Sequence, residues 1–583
     1  MSNQYKYDII LVISLLNCIA LKYYFSLFLF FIFGVSVAQK KYPKNYFSAP
    51  MDIPVVVAGT FGELRSNHFH SGIDLKTQKR EGIPIKATAD GFVSRIKIRQ
   101  YGYGKALYID HPNGYTTVYA HLQKFSPKIQ AYVKSIQYKK EKNNIGNLFP
   151  KPEQFKVKKG EIIAYSGNTG SSSGPHLHYE IRDTKTENII NPMIFGLRAK
   201  DTKKPIIKGL KVFSLDNSSR INNSNNNLIV PIKELENGNF VANRITANGN
   251  IGLGIYVYDH QDAAMNKNGI YSLEMNVNGK RVYYHDVESF SFAESKYINL
   301  LIDYEHYSKY KKRYQKTHKV DQNKLSLYED LINNGKILIN SYQNYNVEII
   351  AKDFDGNATA VRIPIKGVPA NSMFSKKDTT NYKIVATNFQ KFEKDSITIA
   401  FPKNSFYHNC FLDFSVEDGV AKVHEPTIPL DKKFTLTFNT SHLSDKEKKH
   451  VYIANVTKKK YPRYVTTKRR ENKVFTNQKT LGSYTLLFDE TSPELSLVNF
   501  EEGRWLTKNK TLKVKISDKE SGINEYRATI DGNWVLMEYN HKKGILTYDF
   551  SDKKLVGSKH IFKLVVSDNV GNTETISTTF YRK

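Results

Sequence analysis

Cysteine is almost absent: the 583-residue chain has two, Cys18 and Cys410. Cys18 lies in an apolar N-terminal segment, so the rest of the chain carries one thiol and no internal disulfide, and stability must come from packed cores. Acidic residues are also scarce, 56 Asp and Glu against 86 Lys and Arg, for a formal charge of +30. Such an excess attracts polyanions but does not choose among nucleic acid, anionic lipid and an acidic cell wall. A third lack is chemical. Beyond about residue 200 no acid–base or metal-binding constellation stands out. The Asp residues of "VYDHQD", "AKDFDGN", "ISDKESG" and "VSDNVGN" read as turn formers rather than calcium ligands.

Tyr (38) and Phe (33) are plentiful, which suits β-rich cores. The length is several times that of a typical domain of roughly 100–200 residues, so three to five domains are expected. At the N-terminus two apolar runs, "IILVISLLNCIAL" and "YYFSLFLFFIFGVSVA", flank Lys22 and precede "QKKYPKN". Ser36-x-Ala38 supplies small residues for a signal peptidase, so residues 1–38 are expected to be a signal peptide cleaved after Ala38. The alternative is a retained anchor, since a span needs about 20 apolar residues. Either way the protein is expected to be exported, to the periplasm or cell envelope. Asn17 before Cys18 argues against lipid attachment.

From residue 49 to 195 short alternating runs are punctuated by Gly, Asn-Gly and Asp-Gly, the pattern of an antiparallel β-domain. A Lys-rich stretch at 135–154 reads as an irregular surface insertion. Further on, 203–367 and 491–583 share an order of motifs, closing on "VEIIAKDFDGN" and "FKLVVSDNVGN". These are expected to be two immunoglobulin-like β-sandwiches. The first is enlarged by a helical insertion at "KYINLLIDYEHYSKYKKRYQK". Between them, 381–490 reads as a further β-rich module. The predicted fold class is mainly β: one metal-binding domain followed by tandem sandwiches.

The chemistry concentrates in the first domain. In "SGPHLHYEIRD", residues i and i+2 of a strand face one side, so His176 and His178 project together. Two such imidazoles can share a metal, or divide metal binding from acid–base work. In "HFHSGIDLKT", His70 precedes Asp74 by four residues, with a Gly between them that lets the backbone bend. Imidazole plus carboxylate suits zinc, whose catalytic sites take three protein ligands and leave a fourth position open. His121 in "YAHL" is a further candidate for proton handling or oxyanion stabilisation. His68 satisfies the same i, i+2 spacing with His70 and is read as a residue that supports the site from behind or lies on the surface.

Four separated blocks, "HSGID", "GIPIKATADGFV", "YGYGKALYIDHPNGYTTVYAHL" and "VKKGEIIAYSGNTGSSSGPHLHYEI", resemble the lysostaphin-type, LytM-like zinc metallopeptidases that cut peptide cross-links in bacterial peptidoglycan. The resemblance covers about 61–182. It implies that His70, Asp74 and His178 bind Zn²⁺, and that His121 and His176 are the catalytic pair. It implies peptidoglycan stem peptides as substrate, D-alanyl–diaminopimelate bonds in preference to glycyl bridges, and leaves the 135–154 insertion to affect substrate choice.

Two other readings compete. Some relatives have lost ligands and serve only as scaffolds or regulators at the wall, whereas all five positions are present here. The basic, aromatic-interleaved stretches "KYKKRYQKTHK" and "TKKKYPRYVTTKRR" resemble nucleic-acid patches. For an exported chain they read instead as solvated faces or contacts to an anionic envelope surface, with no nucleic-acid partner.

Overall fold

The computed structural model describes residues 42–369 and 379–583. The N-terminal stretch expected to be a signal peptide or anchor, with Cys18, lies outside the described residues. Phe47–Lys583 form one compact unit. Of the other unit, Met1–Tyr46, only 42–46 are described, and they contain a turn.

Period-two sequence becomes strand almost throughout, and the fold is mainly β. In "GFVSRIKI" the chain buries Val93, Ile96 and Ile98. In "HLHYEIRD" both faces are buried, which is possible only for a strand in the middle of a sheet. The first sheet contains β1 (Val57–Gly59), β2 (Ile73–Lys76), β3 (Gly91–Ile98), β4 (Lys105–Asp110), β5 (Tyr115–Ala120), β6 (Gly146–Leu148) and β7 (His176–Asp183). Their spatial order is β1-β2-β7-β5-β4-β3-β6. Strand β7 is central, antiparallel to β2 on one side and β5 on the other.

Residues 135–154 are not irregular. A helix, α1 (Pro127–Lys140), enters them from the N-terminal side and buries Ile129, Val133 and Gln137, one helical face at i, i+4 and i+8. It ends on Glu141 in the left-handed region, and β6 follows. The expected helical insertion of the next domain is two short helices, Ile298–Leu301 and Tyr304–Tyr310.

The two regions with shared motifs place their strands alike. In 203–367, Ala358–Gly367 pairs with Asn344–Lys352, which pairs with Ser272–Val277. In 491–583, Thr573–Tyr581 pairs with Lys559–Asp568, which pairs with Ile523–Ile530. In each, the last strand also takes a parallel neighbour, Phe240–Ala242 in one and Arg504–Trp505 in the other. The intervening region carries two five-stranded sheets around one apolar core. The first and second domains are stitched together: Ser289–Phe290 pairs with Ile189–Ile190 and so joins the first sheet.

Candidate metal centre

Strand register assembles the centre. Asp74 on β2 lies directly opposite His178 on β7, and His178 lies opposite Ala120, the last residue of β5. His121, next after Ala120, therefore reaches the same place, with φ of 61°. A non-glycine residue in that region carries strain of roughly 1–2 kcal/mol. His70 comes in from the chain leading into β2. Gly72 in "HSGID" does not serve a tight bend; an added Cβ would sit 2.3 Å from the Tyr179 carbonyl oxygen, so glycine is what lets β2 lie close against β7.

Three ligand atoms converge. His70 Nε2 is 3.0 Å from Asp74 Oδ1 and 3.0 Å from His178 Nδ1, and His178 Nδ1 is 2.9 Å from Asp74 Oδ1. All three residues are buried. The outward-facing nitrogens have acceptor-only partners: His70 Nδ1 donates to the Thr60 carbonyl at 2.8 Å, and His178 Nε2 donates to Glu180 Oε1 at 2.8 Å. Those bonds fix the tautomers, leaving lone pairs on His70 Nε2 and His178 Nδ1. Two ring nitrogens and a carboxylate oxygen converging on one point suit a positive charge there, whether a proton on His178 Nδ1 or a metal ion, and two imidazoles plus a carboxylate fit zinc.

His176 and His121 stand beside this set. His176 Nε2 is 3.4 Å from Asp74 Oδ1, and its Nδ1 donates to the Gly174 carbonyl at 2.9 Å. His121 Nδ1 donates to the Thr169 carbonyl at 2.9 Å, and its ring centroid is 4.8 Å from that of His176. The structure thus brings all five expected side chains together. His68 is exposed, bonded to the Ser66 carbonyl, and takes no part.

Burial holds His70 down to about 4, and burial with repulsion from His178 and His176 holds His121 down to about 3. Burial alone would also lower His178. Its bonds to Asp74 and Glu180 outweigh that and lift it to about 9 with no metal present. Asp74 lies well below the usual carboxylate range: burial opposes ionisation, but His70, His176 and His178 overcome it.

Several supporting residues were not anticipated. Glu180 is fully buried and joins His178 to Arg182, whose Nε and guanidinium nitrogen lie 2.7 and 2.5 Å from Glu180 Oε2. Ser71 and Tyr103 also donate to Glu180 Oε1, at 2.6 and 2.5 Å. Arg65 bonds Asp74 Oδ2 at 2.7 Å, on the side away from the imidazoles. The alternation that pairs His176 with His178 continues to Glu180 and Arg182, and that was the available signal. Tyr103 and Arg65 had none.

A buried His/Asp/His set lies at the heart of an antiparallel sheet, and residues 68–148 and 148–192 match Peptidase family M23. The chain matches that family over its first domain alone. Over that domain it is 40% identical, across 119 residues, to the DD-carboxypeptidase/endopeptidase Mpg of Neisseria meningitidis serogroup B, covering 20% of this chain and 21% of the relative. It is 37% identical across 113 residues to the peptidoglycan DD-endopeptidase ShyB of Vibrio cholerae, covering 19% and 20%. The chain therefore spans about a fifth of the length of the curated relatives it matches. Among solved structures, a zinc-containing peptidase from Vibrio cholerae aligns with 27% of this chain and 41% of its own at 26% identity, TM-score 0.19. Downstream, residues 381–489 match a Zu5-like domain. The family identified beyond the peptidase domain is thus Zu5-like rather than immunoglobulin-like, and it falls on the module for which the sequence offered no relative.

Proposed function

We propose that the protein is an exported zinc endopeptidase that hydrolyses peptide cross-links of bacterial peptidoglycan. The observation that carries this reading is the convergence of the His70, Asp74 and His178 ligand atoms, with His121 and His176 on one flank. The names of the relatives favour bonds of the DD type.

His70, Asp74 and His178 would hold Zn²⁺. Bound there, zinc would lower the pKa of a coordinated water from about 15.7 towards about 7 and polarise the scissile carbonyl. His121, with its Nδ1 proton committed to Thr169, offers Nε2 to take a proton from the attacking water. His176, on the same flank and held through Nδ1 by Gly174, would donate from Nε2 to the developing tetrahedral oxyanion in its imidazolium form, with both ring nitrogens protonated. Export, the wall as partner and the immunoglobulin-like character of 203–367 and 491–583 belong to the same proposal. The expected leader and the excess of positive charge support the first two, and the shared strand order supports the third.

The test is hydrolysis of purified sacculi, read by mass spectrometry of released muropeptides, with metal content measured in parallel. Wild type should hold one zinc and release DD-cleaved products. His178→Ala should lose both; full activity in metal-free His178→Ala protein would rule the scheme out. His121→Ala should keep its zinc and lose about 10²–10⁴-fold in turnover. Loss of metal there would reverse the roles given to His121 and His178.

A further inference from the structure

The strands ending in "VYDHQD" and "AKDFDGN" bring two of their Asp residues together in space. Asp259 and Asp353 meet Asp201, from the linker behind the peptidase domain, and one carboxylate oxygen from each lies within 4.8 Å of the others. Asp259 is 2% exposed, Asp353 4% and Asp201 9%. They line a small cavity with Gln261 and Asp355, at the seam where Thr60 and Met193 of the peptidase domain meet the next domain.

Two oxygens facing this cavity have no partner. Asp259 Oδ1 and Gln261 Oε1 are both fully buried and accept no hydrogen bond, and Gln261 is itself 2% exposed. A buried carboxylate oxygen and a buried amide oxygen left without donors cost several kcal/mol together unless something else satisfies them. The nearby cations are engaged elsewhere. Lys203 Nζ donates to the Gln261 backbone carbonyl at 3.2 Å, and Arg198 pairs with Asp355 at 3.3 Å. Asp353 receives the Asn357 backbone and side-chain N–H groups, and Asp201 receives the Lys203 backbone N–H. These bonds orient the carboxylates and leave each a further lone pair.

We propose that Asp201, Asp259, Asp353 and the Gln261 side-chain oxygen form a calcium site at the seam between the peptidase domain and the domain behind it. The donors are all oxygen, which selects a hard cation over zinc. Calcium–oxygen distances of about 2.3–2.6 Å put ligands of one ion no more than roughly 5 Å apart, in keeping with the observed spread. Magnesium demands a tighter, near-octahedral shell and gives up its waters reluctantly, so it suits a buried cage of side chains less well. Without a cation, burial and the neighbouring Asp201 and Asp353 push Asp259 up to about 8, and burial lifts Asp201 to about 6. The ion would tie together the linker, the 259–269 loop and the 353–357 turn, which are remote in sequence.

The last domain has a related cluster, Asp489, Asp518 and Asp568. There the carboxylates are occupied by backbone amides: Asp568 Oδ1 alone accepts from Val570, Gly571 and Asn572. No buried carboxylate oxygen in it lacks a partner. That cluster carries no proposal and serves as an internal control.

The test is equilibrium dialysis of the full-length protein against radiolabelled calcium up to about 1 mM, the weak end of protein calcium sites, with and without competing magnesium. Wild type should bind calcium and show a higher Tm in its presence. Asp259→Asn should bind one calcium fewer per chain, and Asp518→Asn should still bind at this site. Gln261→Met, close in shape but without the oxygen, should weaken binding about tenfold and guards against misfolding of the first variant. Absence of calcium binding by wild type, or unchanged stoichiometry in folded Asp259→Asn, would overturn the proposal.

Discussion

Glu180 sits where the peptidase site meets its support. It accepts from His178, Ser71, Tyr103 and Arg182, and so fixes which nitrogen of His178 faces His70 and Asp74. Partners of this kind are worth about 10–100-fold in metal affinity. Glu180→Gln is expected to weaken zinc binding by that factor, measured by competition with a chromophoric chelator. It should also cost about 3 kcal/mol of stability, because Arg182 would remain buried without its full counter-charge. An unchanged zinc affinity would show that Glu180 only balances Arg182. At this scale the sequence was informative where chemistry is local. His70 and Asp74 are four residues apart, and His176 and His178 are two apart on one strand, so both pairs could be expected to face one way. Arg65 could not be foreseen, because its approach to Asp74 depends on the hairpin of Leu64–Arg65 with His68–Phe69.

Elements set the register that these side chains need. Gly72→Ala is expected to push β2 away from β7, since its methyl group would meet the Tyr179 carbonyl oxygen at 2.3 Å. Asp74 would then no longer lie opposite His178. Zinc content per chain should fall while far-ultraviolet circular dichroism stays close to wild type. The strand Lys280–Asp286 supports a second prediction, far from the metal. His285 points into the second domain's interior, its Nδ1 2.8 Å from the Tyr283 hydroxyl, and burial holds it down to about 4. Between pH 6.5 and 4 the unfolded chain binds this proton and the folded chain does not, so stability is lost as pH falls through that window. By pH 5 the loss is about 2 kcal/mol at 1.36 kcal/mol per unit. In denaturant titrations His285→Gln should flatten this acid limb relative to wild type. Strands were the easily read elements, because period two is written in each of them. Helix α1 was missed for the reverse reason: its three buried residues, Ile129, Val133 and Gln137, are diluted by lysines, and only two of them are apolar.

At the scale of the whole molecule, α1 finds its partner in the last domain. Tyr138 meets Trp534 edge to face with ring centroids 5.2 Å apart, Lys134 and Tyr138 both bond Asp552, and Arg527 pairs with Glu141. Nearby, Lys542 bonds Asn168 and Lys105 pairs with Glu538. Asn168 adjoins Thr169, whose carbonyl holds His121. Asp552→Ala should therefore increase hydrogen exchange in both 127–140 and 531–552 while leaving zinc content unchanged; protection unchanged in both segments would mean that the contact is not held by this carboxylate. Motif order in the sequence could pair 203–367 with 491–583, but it could not show that the last of them returns to the first domain. Such long-range closure also bears on biosynthesis. The face of α1 that receives Trp534 emerges some 400 residues before its partner does. A chain stalled or cut before that point would present an uncovered aromatic and charged platform on α1, a mark by which incomplete molecules differ from finished ones.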